Sequence, residues 1–164
     1  MKIALVYSHK AVKTSQVAKM IKDFSKSEGI NDLDIEELSP KKLEDYDLLI
    51  LGAPTWFDGE LPPYWDEMVP AIEDLKLKGK RIALFGNGDQ VKYPENFGDA
   101  VGLLAEVFES AGAKAIGQTS THGYTFESSK ALKNNKFLGL ILDFENQHKK
   151  NKDRVKSWVE KIEV

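Results

Sequence analysis

Two large aromatic residues, Trp56 and Phe57, follow an apolar run closely, and together they could cover a flat ligand. The run at residues 48–51 has the length and composition of a buried parallel strand. Pro54 ends that strand, so the sequence predicts a loop that carries both aromatic side chains. Because large aromatic surfaces are costly to leave in water, these side chains either cover a flat partner or pack back onto the core.

Two further loops are richer in polar residues than a simple connection requires. One covers residues 8–14 after the first predicted strand, and the other covers residues 87–97 after the fourth. In an open parallel sheet, ligands bind beyond the carboxyl ends of the strands, where the strand order reverses. The loops at 8–14, 54–61 and 87–97 are therefore expected to line a single site.

Strand-like and helix-like apolar patterns alternate along the whole chain. Strands are predicted at residues 3–7, 33–38, 47–53, 81–86, 115–117 and 137–142, the last two being pieces of one strand. Helices are predicted from Thr14 or Ser15 to 28–29, from Pro62-Pro63 through Ile72, from 97 to 111, and around 155–162. A polar stretch of roughly twenty residues, longer than an ordinary connection, separates the pieces of the last strand. This alternation predicts an α/β sandwich with a parallel sheet and right-handed crossovers.

The composition is that of an ordinary globular domain. A length of 164 residues predicts one domain spanning 1–164, and a net charge of −3 gives no reason to expect a nucleic-acid partner. The absence of cysteine excludes disulfides, thiolate metal ligands and cysteine nucleophiles. No apolar run approaches the roughly 18 residues of a membrane span and no signal sequence is visible, so a cytoplasmic protein without membrane insertion is expected.

Several motifs, in order and over nearly the whole chain, resemble those of the long-chain flavodoxins. They are Ala53-Pro54-Thr55-Trp56 with Gly59-Glu60-Leu61, Phe85-Gly86-Asn87-Gly88-Asp89-Gln90 with Tyr93 and Asn96-Phe97, His122-Gly123-Tyr124, and Arg154-Val155-Lys156-Ser157-Trp158-Val159. The resemblance implies a flavodoxin-like three-layer sandwich with a five-stranded parallel sheet of order 2-1-3-4-5, whose last strand is split by the long-chain insertion.

The resemblance also implies a function. It indicates a monomeric, low-potential single-electron carrier with one FMN, which is an electron-transfer protein and not an enzyme. Its partners would be a ferredoxin/flavodoxin-NADP reductase-type donor and ferredoxin-dependent acceptor enzymes, bound transiently. A ring of acids would steer basic partners, unless it is an ordinary solvated face. Those acids are Asp58, Glu60, Asp66, Glu67, Glu95 and Asp99.

The flavin ring is expected between two aromatic walls. The resemblance places Trp56 and Tyr93 on its two faces, where a flat ring gains contact area from both sides. Further predicted FMN contacts are Pro54, Thr55 and Asn87, the backbone of Gly88, Asp89, Asn96, Phe97 and Gly98, and the peptide near flavin N5 at Phe57, Asp58 and Gly59. Asp89 could instead only hold its own loop through an Asx turn, and Gly59 would make a turned peptide accessible.

The first loop departs from the family pattern. Flavodoxins hold the FMN phosphate with Thr/Ser-x-Thr-Gly-x-Thr at a helix N-terminus, whereas this chain reads His9-Lys10-Ala11-Val12-Lys13-Thr14. Val12 stands where glycine is expected, and a β-branched residue does not readily take a positive φ. The donors and positive charges that remain are Ser8, His9, Lys10, Lys13 and Thr14. A rebuilt phosphate site at residues 8–14 is expected.

Three other functions are compared with the electron carrier. An FMN-dependent quinone or nitro reductase would need a nicotinamide site and is usually larger or dimeric. A response-regulator domain is rejected because Ala53-Pro54-Thr55 and Tyr7-Ser8-His9 stand where acidic residues would be required. A flavodoxin-like protein with weakened FMN binding that acts through protein contacts stays open because of the first loop.

Overall fold

The computed structural model describes residues 1–164, and its centre is a sheet of parallel strands. The main strands are β1 (Ile3–Tyr7), β2 (Ile30–Asp34), β3 (Leu48–Pro54), β4 (Arg81–Asn87) and β5 (Lys114–Ile116). They lie in the order β2-β1-β3-β4-β5 and all pair in parallel. Because β1 and β3 lie inside the sheet, both of their faces are buried, which explains their continuous apolar runs. The predicted strand order is confirmed.

Helices cover both faces of the sheet. They are α1 (Val12–Phe24), α2 (Pro63–Asp66), α3 (Val69–Glu73), α4 (Asp99–Ser110), α5 (Phe144–Gln147) and α6 (Asn151–Ile162), with short 3₁₀ helices at Pro40–Asp45 and His148–Lys150. One core packs α1 and α6 against the sheet, and the other packs α3 and α4 against the opposite face. Trp158 lies in the first core and Trp65 in the second, both fully buried. No helix is both long and apolar enough to cross a membrane.

The last strand is split, as the sequence predicts. β5 pairs with the first half of β4, and a second piece, β9 (Leu140–Leu142), pairs with residues 85–87 of the same strand. The second piece is shorter than the predicted 137–142. Phe137 belongs instead to a small antiparallel sheet in the insertion, formed by β6 (Thr119–Ser120), β7 (Leu132–Lys133) and β8 (Lys136–Phe137).

Several predicted boundaries are wrong, each for a local reason. The helix predicted from Pro62 through Ile72 is broken into α2 and α3, because Pro70 has no N–H to donate to the preceding turn. The edge strand was predicted at 33–38 but ends at Asp34, whose carboxylate accepts the Glu36 amide at 3.1 Å in a turn. α1 begins two residues before Thr14 and ends at Phe24.

Candidate functional site

Two adjoining clefts open where the loops after β1, β3 and β4 meet. The first-loop cleft, of about 490 Å³, is lined by Ser8, Lys10, Ala11, Val12, Lys13, Thr14, Glu36, Pro54, Trp56, Tyr64 and Asn87. The aromatic cleft, of about 410 Å³, is lined by Thr55, Trp56, Phe57, Gly88, Asp89, Tyr93, Asn96 and Phe97. Trp56 lines both clefts, so the clefts are adjacent and the three predicted loops meet at this residue. The predicted site residues that line neither cleft are His9, Asp58, Gly59 and Gly98.

Trp56 differs from the other two tryptophans in its surroundings. Trp65 and Trp158 are buried and donate their indole N–H groups to the carbonyls of Gly52 and Gly117, at 3.1 and 2.8 Å. Trp56 is 37% exposed and stands on a cleft wall, and Tyr93 on the same cleft is 43% exposed. Trp56 therefore does not pack back into the core, and its ring offers an apolar face to a ligand.

A tight turn presents Trp56. The backbone of Trp56 and Glu60 exchanges two hydrogen bonds, at 2.9 and 2.7 Å, which close a loop over the three residues between them. Within that loop Phe57 has a φ of 44° and Gly59 a φ of 87°, so two left-handed residues make the turn. A β-carbon on Gly59 would lie 2.5 Å from Asp99 Oδ2, so this position requires glycine for both its conformation and its contacts.

The base of this turn is tied to α4. Thr55 Oγ1 accepts the Ala100 amide at 3.0 Å, and this bond satisfies one of the free amides at the start of that helix. Asp99, in the first turn of α4, is 3% exposed and accepts the Lys130 amide of the insertion at 2.8 Å. Burial raises the pKa of Asp99 above its usual value, although the bond from Lys130 opposes the shift. The sequence analysis had included Asp99 in an exposed ring of acids, and for this residue that prediction is wrong because Asp99 is buried.

Asp89 holds the loop that carries Tyr93. Its Oδ1 accepts the amides of Val91 and Lys92 at 3.1 and 2.9 Å, and it accepts Asn146 Nδ2 at 2.8 Å. Burial opposes ionisation, but these three hydrogen bonds lower the pKa of Asp89 below its usual value. The carboxylate thus forms an Asx turn, which is the alternative that the sequence left open. Its Oδ1 is already occupied by these three hydrogen bonds.

A buried network that the sequence did not reveal supports the same loop. Gln90 donates its backbone amide and its Nε2 to Asp143 Oδ2, at 3.1 and 2.8 Å, and its Oε1 accepts the Thr125 amide at 2.6 Å. Asp143 also caps α5 by accepting the Asn146 amide at 3.0 Å. The motif that ends at Gln90 was the only sequence signal for this network. It joins the aromatic cleft to the insertion.

The first-loop cleft contains the N-terminus of α1. The N-cap is Ala11, whose side chain cannot accept a hydrogen bond, and the first helical bond runs from Ser15 N to Ala11 O at 2.8 Å. The amides of Val12, Lys13 and Thr14 therefore have no helical acceptor. Val12 is the first helical residue and its φ is not positive, so the conflict expected from its β-branch does not arise. Three free amides at the positive end of a helix are suited to an anion.

Unpaired polar atoms concentrate at the two clefts. Four buried side-chain polar atoms have no hydrogen-bond partner, and three of them belong to cleft residues: Thr14 Oγ1, the Tyr64 hydroxyl and Asn96 Oδ1. Thr14 is only 2% exposed, so its hydroxyl is a donor fixed inside the protein. Tyr64 and Glu36 were missed by sequence reasoning, because nothing in the apolar pattern relates them to the first loop.

The polar side chains of the first loop are used in different ways. The His9 ring lies outside the cleft, with Nε2 2.8 Å from Asp32 Oδ1. Lys13 pairs with Glu145, and Ser8 donates to Glu36 Oε2 at 2.6 Å. Lys10 lines the cleft and its ammonium group forms no ion pair. Of the three basic residues predicted at this site, Lys10 alone lines the cleft without an ionic partner.

Asp32 holds His9 away from the cleft. Burial opposes the ionisation of Asp32, but hydrogen bonds from Lys22, His9 and Tyr7 lower its pKa. Asp34, two residues further along β2, accepts the His9 amide at 3.4 Å. The side chain of His9 therefore anchors the first loop to β2 at the edge of the sheet.

Comparison with known proteins agrees with this architecture. A family model described as flavodoxin matches residues 5–158. The flavodoxin of Nostoc sp. is 42% identical over 161 residues, which cover 98% of this chain and 95% of that protein. Flavodoxin 1 of Escherichia coli is 41% identical over 150 residues, which cover 91% of this chain and 85% of that protein.

Solved structures give the same result at the level of the fold. A mutant of the Fusobacterium nucleatum flavodoxin bound to flavin mononucleotide superposes with a TM-score of 0.93 at 30% identity, covering 98% of this chain and 94% of that one. The parent flavodoxin, also bound to flavin mononucleotide, gives a TM-score of 0.90 at 29% identity and covers 98% of this chain and 96% of that one. With its sheet order, its split last strand and these matches over nearly its whole length, the chain belongs to the flavodoxin family.

Proposed function

We propose that this protein binds one FMN across the two clefts and carries single electrons between partner proteins at low potential. The observation that carries the proposal is the pairing of unlike clefts at Trp56. One has flat aromatic walls, and the other has free helix amides and a buried free hydroxyl. This is the combination that a flat ring with a phosphorylated side chain requires.

The residues present fit FMN at both ends. Trp56 and Tyr93 would cover the ring, while the backbone near Gly88 and Phe97 would face its polar edge. The phosphate would accept from the amides of residues 12–14 and from Thr14 Oγ1, whose buried hydroxyl otherwise has no partner. When bound, FMN supplies the reversible one-electron chemistry.

The aromatic cleft would do two things for that chemistry. Its apolar walls exclude water and disfavour extra negative charge on the ring, which lowers the potential at which the ring accepts electrons. Phe57 is 75% exposed beside Trp56, so a partner's redox centre could come close to this edge of the site.

The partners would be proteins with basic faces. Five of the six predicted acids are exposed around the flavin loops, namely Asp58, Glu60, Asp66, Glu67 and Glu95. We assign them to transient complexes with a ferredoxin/flavodoxin-NADP reductase-type donor and with ferredoxin-dependent acceptor enzymes. Their charges would accelerate encounter more than they would strengthen the complex.

The experiment that tests this function is a titration of the apoprotein with FMN, followed by reduction of the complex. One FMN per chain should bind, and the aromatic walls should quench its fluorescence. The bound FMN should accept electrons from a reductase. The reduced protein should then react with an added quinone only stoichiometrically when no reductase is present. Failure to bind FMN would overturn the proposal, and multiple turnover of the quinone with a nicotinamide would favour the quinone or nitro reductase.

A further inference from the structure

The first-loop cleft has fewer side-chain hydroxyls for a phosphate than the family pattern provides. Ala11 has none, and the His9 ring is hydrogen-bonded to Asp32 outside the cleft. The Ser8 hydroxyl donates to Glu36, so its single proton is already used. Thr14 is the one first-loop hydroxyl whose proton is free. An anion in this cleft would therefore need a donor from another element.

Tyr64 is such a donor, and it comes from α2. The side chain lines the first-loop cleft, and its buried hydroxyl has no hydrogen-bond partner. A buried hydroxyl without a partner is unfavourable, because the group loses its bonds to water and gains none in return. Thr14 of α1 and Tyr64 of α2 therefore give the same cleft two hydroxyls that have no hydrogen-bond partner.

The position of Tyr64 is fixed by its neighbours. Trp65, the next residue, is buried and donates to the Gly52 carbonyl at 3.1 Å, which anchors α2 on β3. The Tyr64 ring also meets Trp56 edge to face, with centroids 6.2 Å apart and planes at 85°. The hydroxyl is therefore carried by a short, well-anchored segment and does not depend on the first loop for its position.

The protonation state of Tyr64 suits a donor to an anion. Burial raises the pKa of Tyr64 to about 12, and the nearby carboxylates of Glu36 and Asp34 act in the same direction. The phenol is therefore protonated at neutral pH. A phosphate accepts a hydrogen bond more strongly than a neutral group does, because the bond is charge-assisted.

We propose that the Tyr64 hydroxyl donates a hydrogen bond to the phosphate of FMN and replaces a hydroxyl that the first loop lacks. The inference rests on the proposed function, since it names a residue for the same site. It assigns phosphate recognition to two elements, α1 with its amides and Thr14, and α2 with Tyr64. It also makes Tyr64 a link between the phosphate end and Trp56.

The test compares Tyr64→Phe with wild type for two ligands, FMN and riboflavin, by fluorescence titration of the apoprotein. Removing a hydrogen bond to a charged group should weaken FMN binding by about tenfold or more. Riboflavin has no phosphate, so its affinity should not change. The matched control is Tyr46→Phe, which removes a hydroxyl outside both clefts that accepts from Asn31 at 3.2 Å, and it should leave both affinities unchanged.

A second measurement observes the phosphate itself. The ³¹P resonance of FMN bound to Tyr64→Phe should shift relative to wild type, whereas Tyr46→Phe should leave it in place. Melting of the apoproteins verifies that both variants are folded. These readouts do not depend on electron transfer.

Each outcome decides between the proposals. If wild-type apoprotein does not bind FMN, the proposed function fails, and this inference fails with it. If wild type binds FMN while Tyr64→Phe keeps full affinity and an unchanged ³¹P resonance, only the role of Tyr64 is overturned. If Tyr64→Phe weakens FMN and riboflavin equally, Tyr64 acts by supporting Trp56, and the phosphate contact is likewise overturned.

Discussion

The aromatic cleft and the first-loop cleft use their polar groups in opposite ways. Around the aromatic cleft, the polar side chains of Thr55, Asp89 and Gln90 are hydrogen-bonded within the protein and hold the loops in place. In the first-loop cleft, Thr14 and Tyr64 have buried hydroxyls without partners, and the amides at the start of α1 have no acceptor. Among its buried side-chain polar atoms, the aromatic cleft leaves only the acceptor Asn96 Oδ1 without a partner, whereas the first-loop cleft keeps hydroxyl and amide donors free.

In the proposed FMN site, the two ends of the cofactor would be recognised by different physical interactions. Stacking depends on area and flatness, so it constrains a few aromatic positions and the turns that present them. Anion binding depends on the number and direction of donors, which different residue types can supply. A chain can therefore rebuild its phosphate loop while its aromatic walls keep the family pattern.

The largest effect is expected from Trp56→Ala, which removes one wall of the aromatic cleft. Stacking of a flat base on an aromatic side chain contributes about 1–3 kcal/mol, so affinity should fall by roughly 10- to 100-fold. FMN and riboflavin should lose affinity equally, because the change leaves the free donors of α1 in place. Titration of the wild-type and Trp56→Ala apoproteins with each ligand measures the two losses, and Trp56→Phe, which keeps an aromatic ring, serves as a milder control. A loss confined to FMN would contradict the division between the clefts.

Gly59→Ala should come next, because it strains the turn that carries Trp56. The added β-carbon would occupy a φ of 87° and approach Asp99 Oδ2 to 2.5 Å. We expect the free energy of unfolding to fall by about 1–3 kcal/mol. Denaturant unfolding of the apoprotein measures it. Gly29→Ala is the matched control, because a β-carbon there meets nothing within 4 Å, and equal losses in the two variants would contradict the role of the turn.

The two lysines of the first loop should differ. Lys10 has no ion pair, whereas Lys13 is already paired with Glu145. Lys10→Ala should weaken FMN binding by about two- to fivefold at low salt, and Lys13→Ala by less, because exposed charges contribute little. The gap should close as salt screens the charge. Calorimetric titration at two ionic strengths measures it, and a greater loss in Lys13→Ala would reverse the assignment.

The smallest effect concerns Asp99, beneath the aromatic cleft. Its pKa is raised in the folded state, so the protonated form is favoured there, and stability is lost as pH rises through the folded pKa. Asp99→Asn keeps an oxygen acceptor for the Lys130 amide and removes the buried charge. Its melting temperature should exceed that of wild type by roughly 2 °C at neutral pH. The difference should vanish at acid pH; a difference that grows on acidification would show that the carboxylate stabilises the fold.

Much of the fold and of the aromatic cleft could be predicted from the sequence. Buried parallel strands are continuous apolar runs, and the residues that follow them must lie at one edge of the sheet. That argument is sufficient to bring the loops of Trp56 and Tyr93 together. The break between α2 and α3 was also readable in principle, since Pro70 has no amide to donate.

The same argument brings residues 8–14 to this edge of the sheet, but the donors of the first-loop cleft could not be predicted from it. Capping preferences favour Thr14 or Ser15 as the start of α1, but tertiary packing buries Thr14 and places the start at Val12. The His9 ring faces β2 because two acids lie there, and no local pattern relates Asp32 to residue 9. Tyr64 comes from another element, so only the assembled fold shows that it lines this cleft.

The central claim is that the two clefts bind separate parts of FMN, and the most direct test is the affinity of wild-type apoprotein for FMN relative to riboflavin as salt is raised. We predict that FMN binds at least about tenfold more tightly at low salt, because the phosphate adds charge-assisted bonds. That ratio should fall as salt rises, while the affinity for riboflavin stays constant. Equal affinities for the two ligands at every salt concentration would contradict a phosphate site in the first-loop cleft.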